Sequence, residues 1–460
     1  MKVFKLTLIA AAVASFISPL AAQAASTDFD SFTPLASSSP ANPVGSPLEA
    51  TPLTLSNPTW KQVAIDSNTP LAGRRGDNWD MTTANETGAE AGRYLFSPYE
   101  TNQGGVKRFD LQTNTSLEIV APGRSGFVSG DASRWTPWGS YLTAEESWGA
   151  GSSKGRLFEV TNPVSTTGDA GTFFEVRDVI PRVSHEGLAF DKNNNFYFID
   201  ELNGGSIYKY TSTNPLASNG NDFFSTGQTF ALKVGAGSNS NASGAFNWEA
   251  ITNVQGGPLA STFTALLADR TVDGRAAADL VNATEYQRPE DLEIRTLADG
   301  SQQLFVATTT THDVWTIDLG LNTINQFVTR NTIDEATGLA VGSALTNPDN
   351  VAIDAEGNIY IVEDQPGGQA DIWFARDADK NGVAESVARW ASMNTTGAEP
   401  TGLYFDKFNA NVAYLNVQHP DSDIDRTIKI STPAAVPVPG AVWLFGSALV
   451  GFISRFRRKI

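Results

Sequence analysis

Gly187-Leu-Ala-Phe-Asp191, an asparagine-rich turn, Asn195-Phe-Tyr-Phe-Ile199 and then Gly205-Ser-Ile-Tyr-Lys-Tyr210 form the stretch from which the fold is read. It runs apolar strand, tight turn, apolar strand, polar gap, third strand. Short aromatic and β-branched runs bounded by Gly, Asn and Asp are the pattern of antiparallel strands joined by turns. The same rhythm returns along the chain. Asn350-Val-Ala-Ile-Asp354 leads through Glu356-Gly357 to Asn358-Ile-Tyr-Ile-Val362 and Asp371-Ile-Trp-Phe374. Asp291-Leu-Glu-Ile-Arg295 leads through Asp299-Gly300 to Gln303-Leu-Phe-Val-Ala307 and Asp313-Val-Trp-Thr-Ile317. Gly402-Leu-Tyr-Phe-Asp406 pairs with Val412-Ala-Tyr-Leu-Asn416, and Tyr94 to Phe109 and Ser140 to Glu159 supply earlier units. A repeating strand unit of this kind is a propeller blade. The expectation is an all-β chain, a six-bladed β-propeller with loop insertions at 211–245 and 258–285. A β-sandwich of meandering strands is the alternative.

Outward from the repeats, both ends read as processing segments. Lys2 and Lys5 precede an apolar run from Leu6 to Leu20, too short to span a bilayer comfortably, and Ala22-Gln23-Ala24 offers a small-residue cleavage site. The positive region has no twin arginine, so export by the Sec route is expected. At the other end, Val436-Pro437-Val438-Pro439 leads into an uncharged stretch from Gly440 to Ile453, followed by Arg455, Arg457, Arg458 and Lys459. A short apolar helix with a basic end keeps that end cytoplasmic. A plain membrane anchor would read the same way, but the tail resembles a PEP-CTERM sorting signal. That resemblance implies a Gram-negative-type cell, an exosortase-type processing enzyme as partner, transient anchoring in the inner membrane, and delivery to the cell surface or beyond. The division expected is residues 1–24 signal peptide, 25–58 a linker or N-terminal arm rich in Ser, Pro, Ala and Thr, 59–432 the propeller, and 436–460 the tail.

The chain has 460 residues and a net charge of −18, and the cationic ends contribute no acid, so the domain between them is more acidic still. Such a surface repels nucleic acid and anionic lipid and suits divalent cations. With no cysteine, disulfides and thiolate ligands are excluded.

Acids recur just ahead of the first strand of each unit. Glu186, Glu290 and Asp349 each stand five residues before the strand's last position, and Glu399 lies two residues further upstream in its own unit. Equivalent positions in blades meet around the central axis, so these carboxylates are expected at one mouth of the channel. Like charges so close raise each other's pKa or push apart, and a bound cation removes the conflict. Calcium takes about six to eight oxygens from carboxylates and carbonyls, and Asn350 and Glu363 are placed to join. Arg288 adds a fixed fork suited to phosphate. A metal cluster with one arginine can stabilise charge on a transferring phosphoryl group. The blander reading has the acids only capping turns at blade edges.

Thr136-Pro-Trp-Gly-Ser-Tyr-Leu-Thr-Ala-Glu-Glu146, Ser184-His-Glu-Gly187, Arg288-Pro-Glu-Asp291, Asn347-Pro-Asp-Asn350 and Asn416-Val-Gln-His-Pro420 together resemble the motifs of the PhoX alkaline phosphatase family, in the family's order, over roughly 131 to 420. The resemblance implies a six-bladed propeller that hydrolyses small phosphate esters, with a cluster of calcium and ferric ions at the channel mouth. Carried over by motif, Glu186, Glu290 and Asp349 would be metal ligands, with an acid of Ala144-Glu145-Glu146, taken as Glu145, contributing from an earlier blade. Arg288 would bind the phosphate and act with Glu290 in catalysis. His185 adjoins Glu186 and is a candidate to touch substrate, with a structural role as the alternative. The family has a cysteine iron ligand where this chain has Ala144. PhoX enzymes are also typically exported folded by the twin-arginine route, whereas a Sec substrate takes up its metals outside. Calcium is therefore the expected cofactor, and iron would have to bind without a thiolate. The function expected is an exported phosphatase. The alternative is a non-catalytic calcium-binding propeller of the cell surface or extracellular matrix, with a cell-surface polysaccharide as partner. A propeller hydrolase of sugar lactones is a third reading.

Other signals are weaker. Asp377-Ala-Asp379-Lys-Asn381-Gly382 begins like a calcium loop, with Glu385 at the ninth position, but Ala388 holds the twelfth, so a plain hairpin turn competes. His312 and His419 read as structural, and the histidines show no zinc spacing. Gly151-Ser-Ser153-Lys-Gly155 has the spacing of a nucleophile elbow but follows a Gly-rich loop rather than a buried strand. Trp135, Trp138, Trp315 and Trp373 read as blade core.

Overall fold

The computed structural model describes residues 27–68, 76–364 and 369–433, and the signal peptide and sorting tail expected at the ends lie outside them. Among the described residues, no helix is long and apolar enough to cross a membrane.

Four-stranded antiparallel units follow one another around the ring. Blade 1 is Thr83–Ala84, Tyr94–Pro98, Val106–Asp110 and Thr115–Val120. Blade 2 is Gly130–Trp135, Tyr141–Glu145, Leu157–Val160 and Phe174–Val176. Blade 3 is Leu188–Phe190, Phe196–Ile199, Ile207–Ser212 and Gly227–Val234. Blade 4 is Pro289–Thr296, Gln302–Thr308, Asp313–Asp318 and Thr323–Val328. Blade 5 is Pro348–Ile353, Ile359–Glu363, Asp371–Arg376 and Ser386–Met393. Blade 6 takes Glu399–Phe405, Val412–Gln418 and Arg426–Ser431 from the end of the chain and its outer strand, Lys61–Ser67, from the beginning. Lys61 lies opposite Ser431 and Ser67 opposite Arg426, so the two ends of the propeller are zipped in one sheet and the ring closes.

Strands near the axis are apolar on both faces because each blade is packed on both sides. Leu304 joins the core shared with blade 3, while its neighbour Phe305 joins the core shared with blade 5. Alternate side chains point to opposite faces, so a strand buried on both faces reads as a nearly continuous apolar run. The repeated turn acid has a common task. Asp191 accepts from the backbone N–H of Asn193 (2.8 Å) and Asn195 (2.8 Å), the Asn195 amide (2.7 Å) and the Tyr197 hydroxyl (3.2 Å). Asp354 repeats this with Glu356, Asn358 and Tyr360 at 2.9 to 3.1 Å. These acids cap the turn between the first two strands, as Asp side chains commonly do.

Two expectations need correction. The stretch 211–245 is not simply a loop. It holds the outer strand of blade 3, and Gly244–Ala250 then pairs both with that strand and with Thr323–Val328, joining blades 3 and 4 into one sheet. The segment expected as a linker or N-terminal arm is an arm docked on blades 5 and 6. Leu53–Leu55 pairs with Ser386–Met393, and fully buried Phe29 meets Trp60, Trp390 and Phe405 edge-on at 5.4 to 5.7 Å. Its Ser/Pro-rich composition hid the anchors, since one buried Phe contributes about 2–3 kcal/mol.

Candidate functional site

The inner strands all begin at the same end of the channel, and each brings an acid there. In blade order these are Asp80, Asp131, Glu186, Glu290, Asp349 and Glu399, and all but Asp349 are nine-tenths buried or more. A second set stands where the second strands end: Glu100, Glu146, Glu201, Thr309, Asp364 and His419. The same inner strands carry paired charges further along, Arg134 with Glu293 (2.6 Å), and Lys407 pairs with Glu86 (2.7 Å). The excess of acid is thus concentrated at one mouth.

Within it, two triads have carboxylate oxygens mutually within 4.8 Å: Glu186 with Glu290 and Asp349, and Asp131 with Glu146 and Glu201. Burial pushes the carboxyls of Glu186, Asp349, Asp131 and Glu201 well above the ordinary range, and their neighbours' charges push them further. Glu290 is raised by burial against the pull of Arg288. Asp80 is pushed up to about 7 by burial. Oxygens of Glu290 and Asp131 are buried without any hydrogen-bond donor among the described residues. Buried acceptors lacking a donor are costly, and a hard cation satisfies them and cancels the repulsion together.

Arg288 sits between the triads. Its Nε lies 2.9 Å from Glu201 Oε1 and 2.9 Å from Glu290 Oε1, and Nη1 is 3.8 Å from Asp364. Its backbone takes a left-handed φ of 58°, with its N–H donated to the Leu202 carbonyl at 3.0 Å. The guanidinium stacks over Trp148, 5.0 Å from the ring centroid. That indole is half-exposed at the rim and donates to Glu201 at 3.1 Å and to Glu146.

The other expected residues are placed differently. Glu145 is fully buried and faces away from the triads. It pairs with Arg156 (Nε at 2.8 Å) and accepts from the backbone N–H of Val128 and Arg156. Its neighbour Glu146 enters the triad instead. Glu363 likewise turns into its blade, accepting from the N–H of Thr346 (2.8 Å), the N–H of Asp371 (3.0 Å) and the Trp373 indole (2.9 Å), while Asp364 faces Arg288. Both differences are one-residue shifts, and one residue reverses the side of a strand to which a side chain points. Asp200 follows the same rule: it is held by Arg275 at 2.6 and 2.7 Å, while Glu201 faces the mouth. Asn350 is at the site, but its carbonyl oxygen is taken by the Gly402 N–H (2.7 Å) and Thr401 (2.9 Å), so it offers the carboxylates only its amide N–H groups. His185 is buried against Phe198, 5.2 Å between ring centroids, and burial with the Arg182 charge lowers it to about 3. It is a neutral core ring. Asp377 and Asp379 lie on a separate hairpin loop with Glu385, their carboxylate oxygens within 4.8 Å, and Asn381 binds Asp379.

Sequence reasoning missed Asp80, Asp131, Glu100, Glu201 and Asp364, and of the pair Glu145-Glu146 it took the wrong member. A signal existed for Glu201 and Asp364, as each follows an acid that ends an apolar strand, in Phe198-Ile-Asp-Glu201 and Ile361-Val-Glu-Asp364. Asp80 precedes an inner strand of only two residues, too short to show a period. His419, read as structural, reaches Glu399 through Nε2 at 3.1 Å, its Nδ1 donating to the Gly397 carbonyl at 3.2 Å.

The donor set is carboxylate throughout. Ala144 is fully buried in the apolar core with Leu142 and Leu157. Oxygen-only ligands suit calcium, magnesium or manganese better than thiophilic metals.

The family model described as alkaline phosphatase PhoX matches residues 132–421. Among solved structures, PhoX of Pseudomonas fluorescens in complex with vanadate, a transition state analogue, superposes with a TM-score of 0.60 at 16% identity, covering 86% of this chain and 97% of that one. Weaker similarities are to a putative phosphatase from Bacteroides thetaiotaomicron (TM-score 0.43, 11% identity, 80% and 75% covered) and to the calcium-binding protein regucalcin from Agrobacterium tumefaciens (0.40, 10%, 80% and 94%). No curated protein matches the chain.

Proposed function

Because this chain belongs to the PhoX alkaline phosphatase family, we propose that it is an exported phosphatase that hydrolyses phosphate monoesters at the acid-lined mouth of its channel. The observation that carries the reading is the pair of carboxylate triads flanking Arg288. Glu186, Glu290 and Asp349 would hold one metal position, and Asp131, Glu146 and Glu201 another. The all-oxygen set supports calcium. Bound cations would supply electrophilic polarisation of the phosphoryl oxygens and lower the pKa of an attacking water.

The chain's own residues do the positioning. Arg288 uses Nε for Glu201 and Glu290, which leaves its terminal nitrogens to grip two phosphoryl oxygens as charge develops on them. Trp148 stacks on the guanidinium and limits its rotation. Arg275 ties Asp200 to the Trp148 carbonyl (3.1 Å), fixing the loop that carries the indole.

The ends of the sequence support export by Sec, trimming of the tail by an exosortase-type enzyme, and a transient inner-membrane anchor. A second reading, a non-catalytic calcium-binding propeller of the cell surface, is favoured by one observation: Ala144 in place of a thiolate. Metal content and hydrolysis of a chromogenic phosphate monoester, with and without calcium, separate the two. Calcium-dependent turnover supports the phosphatase. Bound calcium without turnover under any metal supplement sinks it.

A further inference from the structure

Blade 5 carries a second cluster of acids that the channel chemistry does not use. The hairpin between Asp371–Arg376 and Ser386–Met393 turns through Asp377, Asp379, Asn381, Gly382 and Glu385, the first, third, fifth, sixth and ninth positions of a calcium loop. In the structure this spacing converges. Carboxylate oxygens of Asp377, Asp379 and Glu385 lie within 4.8 Å of one another. Convergence of acids alone is common on surfaces. The independent observation is Asp377, whose side chain is 1% exposed. One of its oxygens, Oδ2, accepts the Gly382 N–H at 3.3 Å and pairs with Arg295. The other, Oδ1, is buried with no hydrogen-bond partner among the described residues. A buried carboxylate oxygen without a donor forgoes its solvation for nothing, and a cation at the focus of the loop would restore it. Lys380, the basic residue within the loop, is directed away, to the Gly357 carbonyl at 3.2 Å.

We propose that this hairpin binds a calcium ion, separate from any metal at the channel mouth. The two places are distinct, since Arg295, which touches Asp377, is five residues along the strand from Glu290, about 16 Å. Calcium fits better than magnesium because the protein itself would supply several carboxylate oxygens, whereas magnesium keeps most of its waters. Arg295 already offsets part of the Asp377 charge, and the usual twelfth-position glutamate is absent, so the site belongs at the weak end, with a dissociation constant of about 10⁻⁴ to 10⁻³ M. Its role is to pin the outer hairpin of blade 5, independent of whether the channel mouth is catalytic.

The test is calcium binding by equilibrium dialysis to the whole protein and to an Asp379→Asn/Glu385→Gln variant. Both side chains are exposed, so the fold is not at stake. The variant should bind one calcium fewer per chain. An equal count overturns the proposal. Asn381→Asp adds a carboxylate at the fifth position and should tighten the weakest site roughly tenfold. An unchanged affinity in that variant also counts against the assignment.

Discussion

Arg288 Nε stands 2.9 Å from Glu290 Oε1 and shares that nitrogen with Glu201, so one guanidinium answers to both acid triads. It offsets part of their repulsion and no more: Glu186, Asp349 and Glu201 remain pushed well above the ordinary carboxyl range by burial and by one another. The metal-free mouth is therefore a destabilised arrangement, and that makes its residues testable by stability as well as by rate.

Glu290→Gln removes one charge from the crowded triad and keeps the shape. In chelator, its melting temperature should equal or exceed that of the parent, because a buried charge among like charges has gone. Calcium should stabilise it less, and turnover of a phosphate monoester should be lost. Parental turnover would sink the assignment of Glu290 to the machinery.

Arg288→Lys keeps the charge and loses the planar fork. A point charge cannot grip two phosphoryl oxygens in one plane or stack on Trp148 in the same way. The expected loss in kcat/KM is on the order of 10²- to 10³-fold. Calcium stoichiometry should be unchanged, since Arg288 binds no metal. A variant with parental kinetics would mean that phosphate is held elsewhere.

The pH dependence of metal-free stability follows from the raised carboxyls. Asp80 is pushed up to about 7 from 3.8 by burial, so the native state binds a proton that the unfolded state has released. Stability then falls as pH rises from about 4 and levels off above about 7. Thermal melts in chelator from pH 4 to 8 should show this decline. With calcium the order reverses, because ligation requires the ionised carboxylates. A metal-free protein that gains stability across this range would contradict the buried-acid account.

Much of the fold was legible because its physics is local. Apolar runs, turn acids such as Asp191 and Asp354, and their repetition are properties of consecutive residues. Closure was not, since pairing Lys61–Ser67 with Arg426–Ser431 joins segments more than three hundred residues apart, and nothing near Lys61 marks its partner. The acids heading inner strands were legible at Glu186, Glu290, Asp349 and Glu399, where a strand–turn–strand pattern that repeats along the chain supplies the frame. Glu146, Glu201 and Asp364 at the ends of second strands were not, because there the sequence offers two acids side by side and only strand parity chooses between them.

That parity yields the sharpest pair of variants. Glu145 is fully buried and saturated by Arg156 and two backbone N–H groups, while Glu146 shares a triad with Asp131 and Glu201. Glu145→Ala leaves the Arg156 guanidinium without its buried partner, which costs about 3–5 kcal/mol. The calcium count of the folded fraction should not change. Glu146→Gln removes an oxygen charge from the mouth without uncovering a buried cation. Its stability in chelator should be kept or improved, while calcium affinity at the mouth falls. Differential melting in chelator and in calcium, together with calcium counting, distinguishes the two in one series. Should Glu145→Ala lose calcium at full stability, the acid next to Ala144 would be the ligand after all, and the one-residue register argued for blades 2, 3 and 5 would fail together.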